Sequence, residues 1–470
     1  MSNFRSYDQS QGAERRIIPN ELLEPDHPAR IVDRVVEVLK LQEIYECYSE
    51  EGNPAYHPKM MLKVLFYSYL IGVMSSRSMW DALKRRADYI FLSGAQVPDF
   101  RTLNRFRTRH LEQLPQLFAQ IVHLCVKLGM IDLQYLAIDG QKIQADASYR
   151  KSKTMKRLQQ SMQRVTSGMQ KLLEKPIGED FPQELKEKRL RELKRQEKQL
   201  HGLQADLEQI KDEEANLNMT DPEAKMMRHK DGQSLPSYNH QSAIDGKYGV
   251  SCAVQSSDCC DGDQDLLALV DAAHQNTGGK HRNVIADAAF GSYEIYERIE
   301  EERTEDYFVP DRRFESAESG QTGKGKFAGS RFEKRTDGTI ICPAGVPMRL
   351  REERQEKDHT LWIYAGTGCQ ECPLRPQCTT AKRRTVSFDS REAYRELMRE
   401  KLRSDRGREI YLKRQGIGEA GHGNDQHNKG WRQHLLRGMA KAALEFLLMR
   451  IGANLGKIAT YRATDVLALS

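Results

Sequence analysis

Apolar positions in the first quarter of the chain recur with the spacing of three and four that places them on one helix face. The segment from Ile31 to Leu39 carries such a stripe, and a second apolar segment, Met60 to Ile71, follows His57 and Pro58. Two shorter segments, around residues 78–89 and 102–114, continue the helical pattern. Residues 1–130 are therefore predicted to form an N-terminal all-α domain.

Beyond residue 130 the pattern changes to short apolar runs, which are typical of buried strands. One run, Gln134 to Ile138, ends at Asp139, and another, Asn283 to Ala286, ends at Asp287. Two more runs, Ser242 to Ile244 and Val250 to Val254, flank Asp245 to Gly249 as a hairpin. Further elements are predicted as helices at 265–274, 293–301, 391–414 and 433–455 and as a strand at 307–309. The predicted fold class is α/β, with a mixed-sheet core formed by residues 131–310 and 386–470.

A long polar insertion with helical spacing interrupts this core. Apolar residues from Met155 to Leu172 alternate at three and four positions, which is a heptad seam, and a second charged helix runs on to Ile210. We predict an antiparallel helical hairpin over residues 151–218. Its role stays open between a dimerisation arm, a DNA clamp and a spacer.

The amino-acid composition excludes few classes of function. The 470 residues carry a formal net charge of +6, which suits a protein that meets a polyanion, but positive patches rather than totals hold phosphates. The basic residues Arg101, Arg105 and Arg107 are candidate DNA contacts, and solvated helix faces are the alternative. No export signal is recognisable, and the longest apolar run is too short to cross a bilayer, so we expect a cytoplasmic protein without a membrane segment.

Three carboxylates are the candidate catalytic residues: Asp139, Asp287 and Glu419. Carboxylates are suitable ligands for magnesium, and a pair of divalent cations can stabilise the attacking and leaving oxygens of phosphodiester transfer. Each residue also has an ordinary interpretation. An aspartate before glycine, as at Asp139, is often a turn former, and Asp287 before a helix is equally a candidate N-cap.

Several motifs in sequence order resemble those of bacterial insertion-sequence transposases of the DDE group, which carry an inserted domain before the glutamate and a Tyr-Arg-Glu signature. Within the IS-four/IS-five-like superfamily the chain is most similar to the IS-eleven-eighty-two group. The motifs that carry this resemblance are Leu136 to Gly140, Val284 to Ala288, Tyr411 to Arg414 before Glu419, His27 to Arg30, Pro98 to Arg107, Tyr238 to Gln241 and Arg437-Gly438.

This resemblance implies a ribonuclease H-like catalytic core and an N-terminal DNA-binding domain. It implies that Asp139, Asp287 and Glu419 hold two Mg²⁺ or Mn²⁺ ions, with Asp139 bridging them, and that Tyr411 and Arg414 position a DNA end. An ordinary helix-surface pair is the alternative for these two. The implied reaction is DNA transposition on inverted-repeat ends and target DNA, by a homodimer associated with the nucleoid.

The chain departs from these relatives after the glutamate. Most relatives carry a basic residue seven positions beyond it, where this chain has Gln426, and the residues from Ala420 to Gly423 also differ. Lys429 and Arg432 are predicted to supply the missing DNA contact. The alternative function is a degenerate or domesticated copy that binds DNA as a regulator without catalysis. A general ribonuclease H-like nuclease is disfavoured by the long insertion and the helical N-terminal region.

A cysteine group lies in the segment 311–385, which is predicted to be a small insertion domain. The group consists of Cys342, Cys369, Cys372 and Cys378. Four thiols with one Cys-x-x-Cys pair are typical of a structural zinc site, although the uneven spacing is not that of a common ribbon. A buried cluster without metal is the alternative.

Overall fold

The computed structural model describes residues 18–49, 54–176, 182–209, 216–259, 266–335, 337–419 and 423–468. The chain divides into two compact units. One consists of Met1–Ile121 with Leu448–Ser470, and the other of Val122–Leu447. None of the helices in the described ranges is long and apolar enough to cross a membrane.

The described part of the first unit is helical, as the spacing of apolar residues predicts. Two of its helices begin in the same way: the imidazole Nδ1 of His27 accepts the N–H of Ala29, that of His57 accepts the N–H of Lys59, and a proline follows each histidine. Proline suits the first helical position because its missing N–H would have no helical partner there. The helices are α1 (Pro28–Val38), α2 (Gln42–Tyr45), α3 (Pro58–Leu70), α4 (Ser76–Arg85), α5 (Ala87–Ser93), α6 (Phe100–Arg109) and α7 (Leu114–Lys127), which runs on into the second unit.

The C-terminal residues group with this helical unit, whereas the sequence predicted residues 386–470 as part of the core. The helix α16 (Met439–Tyr461) carries Gly452, and a Cβ atom at that position would lie 2.6 Å from the backbone nitrogen of Leu70. The helix therefore meets the backbone of α3 at close range. Spacing of apolar residues predicts a helix here but not which element the helix packs against.

The second unit contains a six-stranded mixed sheet. The central strand β1 pairs in parallel with β7 and antiparallel with β5; β8 extends the sheet beyond β7, while β4 and β6 both pair with β5. This confirms the predicted α/β class. The strands up to this point of the chain are β1 (Tyr135–Gln144), β2 (Ser152–Lys153), β3 (Leu217–Asn218), β4 (Lys225–Arg228), β5 (Ser234–Asp245), β6 (Ser251–Ser257), β7 (Asn283–Ala286) and β8 (Asp306–Phe308).

Helices flank this sheet, and two of them form the hairpin that the heptad seam predicts. The helices α8 and α9 share an apolar core in which Leu158, Leu200 and Leu203 are buried, and the short pair β2–β3 joins the two ends of the insertion. The helices of this unit are α8 (Met155–Glu174), α9 (Gln183–Gln209), α10 (Leu266–Thr277), α11 (Tyr293–Glu302), α12 (Phe314–Ser319), α13 (Arg375–Cys378), α14 (Glu392–Arg403) and α15 (Asp405–Arg414).

Residues 311–385 contain short strands that the sequence analysis did not predict. A three-stranded antiparallel sheet and a two-stranded one surround a small core of Phe327, Phe332, Ile340 and Met348. The strands are β9 (Glu333–Lys334), β10 (Ile340–Ile341), β11 (Arg349–Gln355), β12 (Thr360–Ala365) and β13 (Thr385–Asp389). In β11 most side chains are charged and exposed, so no alternation of apolar and polar positions marks it.

Candidate functional site

The two predicted catalytic aspartates lie side by side at the point where the parallel pairing of β1 and β7 ends. The last parallel pair between β1 and β7 is Ile138 with Ala286, so Asp139 and Asp287 come next on neighbouring strands at the same level. Asp139 is 7% exposed, and its Oδ1 accepts the N–H of Gly140 at 3.0 Å. The parallel register therefore brings together two residues that stand 148 positions apart in the chain.

The electrostatics of this pair favour a cation between or beside them. The pKa of the Asp139 carboxyl is raised to about 6, first by burial and also by the charge of Asp287. The N–H of Gly140 and the positive charges of Arg414 and Lys230 act in the opposite direction. A buried carboxylate that is also repelled by a neighbour is stabilised when a positive ion binds.

The segment that leads to Glu419 also reaches Asp139. The helix α15 is followed by a π-helical turn, Gln415–Glu419, and a Cβ atom at Gly418 would lie 3.1 Å from the Cβ of Asp139. The backbone of Gly418, directly before Glu419, is thus next to Asp139, while the Glu419 side chain lies outside the described residues. π-Helical turns are rare and occur often at functional sites.

Tyr411 and Arg414, which the resemblance implies as contacts for a DNA end, lie near the same aspartates. The guanidinium of Arg414 lies 4.0 Å from Oδ1 of Asp139 and 5.8 Å from the ring centre of Tyr411. The pKa of Tyr411 is raised, mainly by burial, and the charge of Asp287 adds to this effect. Both residues of the signature therefore stand near the carboxylate pair.

A cavity of about 920 Å³ opens in front of the two aspartates. Its wall includes cationic side chains from β1, from the segment between β4 and β5, and from the segment after the π-helical turns: Lys142, Arg228, Lys230 and Arg432. Of these four residues, only Arg432 was predicted from the sequence as a DNA contact. The others were missed because they belong to short polar segments without an apolar pattern.

Gln426, which replaces the basic residue of the relatives, lines the same cavity, and its amide donates to the Oε1 of Gln141 at 3.2 Å. Lys429 lies deeper. Its side chain is 9% exposed and its Nζ is 3.9 Å from Asp425, and burial lowers the pKa of Lys429 to about 8. Arg432, by contrast, is exposed at the cavity wall.

The arginines predicted to contact DNA from the first unit differ in exposure. Arg101 and Arg105 are exposed on α6. Arg107 is 3% exposed, and its guanidinium donates to the hydroxyl of Tyr69 and to the side chain of Asn104. A buried arginine with these partners fixes neighbouring helices rather than presenting charge to solvent.

The four cysteines of the insertion gather around one cavity of about 530 Å³ with an apolar lining. Burial raises the pKa of the Cys378 thiol, and the other three thiols add to this effect. Among the described residues, however, no three histidine, cysteine, aspartate or glutamate side chains are placed to hold one metal ion. The predicted zinc site is therefore not supported: the thiols share a cavity wall without converging on one point.

Two family models match segments of this chain. One, described as a transposase DDE domain, matches residues 341–459, and the other, described as a transposase domain (DUF772), matches residues 18–109. Two segments of the chain are thus similar to transposase domains. Asp139 and Asp287 lie outside both matched segments. A search of curated proteins and a search of solved structures each found no match.

The glycine next to the glutamate allows a specific prediction. Under the hypothesis that Asp139, Asp287 and Glu419 catalyse DNA cleavage, we expect Gly418→Ala to lower that activity about tenfold, because the added methyl group would push the turn from Asp139 by a few tenths of an ångström and displace Glu419. The matched control is Gly416→Ala in the same turn, where a Cβ atom meets nothing within 4 Å. DNA nicking rates of the two variants make the comparison. Equal rates would mean that the approach to Asp139 does not matter.

Proposed function

We propose that this protein is a DNA transposase that hydrolyses phosphodiester bonds at the ends of its own element and joins those ends to target DNA. The observation that carries the proposal is the pairing of Asp139 and Asp287 on adjacent parallel strands, at a cavity with a cationic wall. The transposase matches at residues 18–109 and 341–459 support it independently. Assignment to the IS-eleven-eighty-two group is part of the proposal.

The sheet supports the ribonuclease H-like interpretation of the core. Its order, β6-β5-β1-β7-β8 with β5 antiparallel to β1, places the two aspartate-bearing strands at the centre. The candidate site lies where the parallel pairing of β1 and β7 ends, directly after β7, while β1 itself continues to Gln144.

Asp139 and Asp287 fit a divalent cation such as Mg²⁺ or Mn²⁺, because two mutually repelling carboxylates face one cavity. Glu419, whose chain neighbour Gly418 adjoins Asp139, is proposed as the third ligand. A bound pair of ions would stabilise the attacking and leaving oxygens of the phosphodiester. Arg414 is proposed to hold a phosphate of the DNA end through its planar guanidinium, with Tyr411 packed against it.

DNA is the proposed partner both of the helical N-terminal unit and of the cavity. Exposed Arg101 and Arg105 would contact the backbone of the element end, and Arg432 with Lys142 would contact the strand that enters the cavity. Lys429 and Arg107 are retained from the sequence prediction as DNA contacts only if binding uncovers them. A homodimer that joins two ends and a cytoplasmic, nucleoid-associated location remain predictions.

Gln426 favours one second candidate, a copy that binds DNA as a regulator without cutting it. Its uncharged amide is already engaged with Gln141, so it cannot neutralise a phosphate. Loss of one cation weakens phosphate binding but leaves the aspartate pair intact.

An assay on the element's own termini separates these two functions. The full chain is mixed with duplexes that carry the sequences flanking its gene, with Mg²⁺ or Mn²⁺ and in parallel with a chelator. The transposase proposal predicts metal-dependent nicks at the ends and products joined to a second DNA. Tight binding of the same duplexes without any cleaved product in either metal would favour the regulator.

A further inference from the structure

The helix α8 and the residues that precede it form a basic segment without acidic residues. From Ala147 to Leu173 the chain contains neither aspartate nor glutamate. Its cations are Arg150, Lys151, Lys153, Lys156, Arg157, Arg164 and Lys171, and all of them except Lys153 are exposed. Among the residues that the structure describes, none of these cations forms an ion pair. Their charge is therefore not neutralised within the described chain and is available to a partner.

Within α8, three of these cations form a ridge along one exposed face of the helix. Arg157, Arg164 and Lys171 follow one another at intervals of seven residues, which is close to two helical turns, so they lie on the same side. The apolar seam that packs against α9, which includes buried Leu158, occupies a different face. At a rise of about 1.5 Å per residue the ridge is roughly 21 Å long, which is the length of about six base pairs of duplex DNA.

The stability of the helix does not explain these charges. The first turn of α8 contains Lys156 and Arg157 and no acidic residue. A helix N-terminus carries a partial positive charge that favours acidic side chains, so cations at this end destabilise the helix slightly. The partner helix differs, because acidic residues alternate with the cations of α9: Glu184, Glu187, Glu192 and Glu197. The excess of positive charge thus belongs to α8, and binding of a polyanion accounts for it.

The hairpin is connected to strands that line the carboxylate cavity. It leaves the sheet after β1 and returns before β4, and Lys142 of β1 and Arg228 of β4 both line the cavity. At the base of the hairpin, the buried side-chain amide of Asn218 donates to the carbonyl of Ser148 at 2.8 Å and to the hydroxyl of Ser152 at 2.9 Å. The basic segment therefore begins at an ordered base that continues the cavity-lining strands.

We propose that the ridge of Arg157, Arg164 and Lys171 binds the phosphate backbone of the duplex DNA whose cleaved strand occupies the carboxylate cavity. This inference rests on the proposed function, which supplies DNA as the partner, and assigns one surface of contact to the hairpin. An exposed row of cations without carboxylates fits a polyanion, because phosphates displace counterions when they bind such a row. In a symmetric dimer formed through this face the two ridges would meet, and like charges would repel each other.

The salt dependence of DNA binding by the full chain tests the proposal. Fluorescence anisotropy is measured over a series of KCl concentrations, with a chelator present to prevent cleavage. One duplex carries a sequence that flanks the gene, and the other is an unrelated duplex of the same length. Because phosphate contacts carry no sequence information, the triple variant Arg157→Gln/Arg164→Gln/Lys171→Gln should lose affinity for both duplexes to the same extent. We expect about tenfold or more at roughly 0.1 M KCl, and a salt slope that is smaller by about one for each cation removed.

Two control variants separate the charge of the ridge from general effects of substitution. Lys188→Gln/Arg191→Gln/Arg195→Gln removes the same number of exposed charges from α9 and should keep the wild-type salt slope. Arg157→Lys/Arg164→Lys keeps the charge of the ridge and should also keep that slope. An unchanged slope in the α8 triple variant, or an equal loss in the α9 variant, would overturn the proposal.

Thermal unfolding and sedimentation velocity distinguish DNA binding from a structural or dimerising role of the ridge. The substituted side chains are exposed and glutamine is a good helix former, so the α8 triple variant should keep the Tm and the association state of the wild type. A lower Tm, or a change of association state, would show that the ridge serves the fold or a subunit interface and would overturn the inference. Wild-type binding that the α8 substitutions leave intact would overturn the inference alone, whereas no binding of any duplex by the wild type would overturn the proposed function with it.

Discussion

Asp139→Asn and Asp287→Asn are each expected to lower DNA nicking by about 10³-fold or more, while binding of the same DNA persists. Either change replaces a carboxylate with an amide of the same shape and so removes one ligand charge of the pair. Loss of the several kcal/mol by which a bound ion stabilises the transition state corresponds to about this factor. Metal-dependent nicking of element-end duplexes measures the rate, and gel retardation measures the binding.

The matched control for this prediction is Asp231→Asn. Asp231 lines the same cavity, but it lies in the exposed segment between β4 and β5, where its carboxylate accepts the N–H of Gln233. The same change of charge should leave the nicking rate within about twofold of the wild type. Full activity in Asp287→Asn would refute the assignment of the pair as the metal site.

Metal binding gives the prediction a second readout. A ligand that binds only the folded state raises Tm in proportion to its affinity, so Mn²⁺ should stabilise the wild type and the Asp231→Asn variant. It should not stabilise Asp139→Asn. Because the pKa of Asp139 is raised partly by Asp287, removal of either charge should also leave the metal-free protein as stable as before or more so.

The aspartate pair could be predicted from the sequence because its local signals are strong. Apolar runs end at Asp139 and at Asp287, and buried parallel strands consist of such runs. The family resemblance implied that these two strands are neighbours. The register that places the two carboxylates at the same height is known only from the structure of the sheet. The hairpin of α8 and α9 was predictable for a similar reason, since a heptad seam needs a partner helix.

The strand β5 shows why one part of the cavity lining could not be predicted from the sequence. Its central residues from Asn239 to Ser242 are polar, yet each is at most 6% exposed. A pattern of apolar residues marks strands that pack against a core, so the sequence pattern does not predict a strand whose buried residues are polar. The prediction accordingly began the strand at Ser242, eight residues after its actual start at Ser234.

Charge alone was an equally poor guide to exposure. Arg107 and Arg105 stand two residues apart on α6, but the first is buried against Tyr69 and the second is exposed. Among the cysteines, spacing predicted a shared location, which the structure has, and could not predict whether the thiols converge. Convergence depends on backbone turns in the short strands of the insertion, which lack a sequence pattern.

A buried hydrogen-bond chain supports β5 from the side of α16, and we expect its removal to have a large effect on stability. Glu445 is 1% exposed, and one of its carboxylate oxygens accepts the backbone N–H of Leu435 at 2.9 Å. The same oxygen lies 2.9 Å from Nδ1 of His434, whose Nε2 lies 2.8 Å from Nε2 of His240. Since the oxygen accepts backbone hydrogen bonds, Nδ1 of His434 is the donor, and a neutral His434 ring then accepts from His240.

Glu445→Ala should therefore lower the free energy of unfolding by about 3 to 5 kcal/mol, because it leaves a buried imidazole donor and a buried N–H without an acceptor. Chemical denaturation of the full chain measures the change. Glu445→Gln keeps an acceptor oxygen and should recover at least half of the loss. A smaller effect for alanine than for glutamine would mean that water or a rearranged side chain replaces the carboxylate.

The same variant connects stability to the site. His240 is the register partner of Gln141, which lines the cavity, so the hydrogen-bond chain from Glu445 ends beside the cavity wall. A loosened β5 would disturb this wall while the aspartates on β1 and β7 keep their own pairing. Glu445→Ala should thus still nick DNA at temperatures where it remains folded, an outcome that direct substitution of an aspartate cannot give.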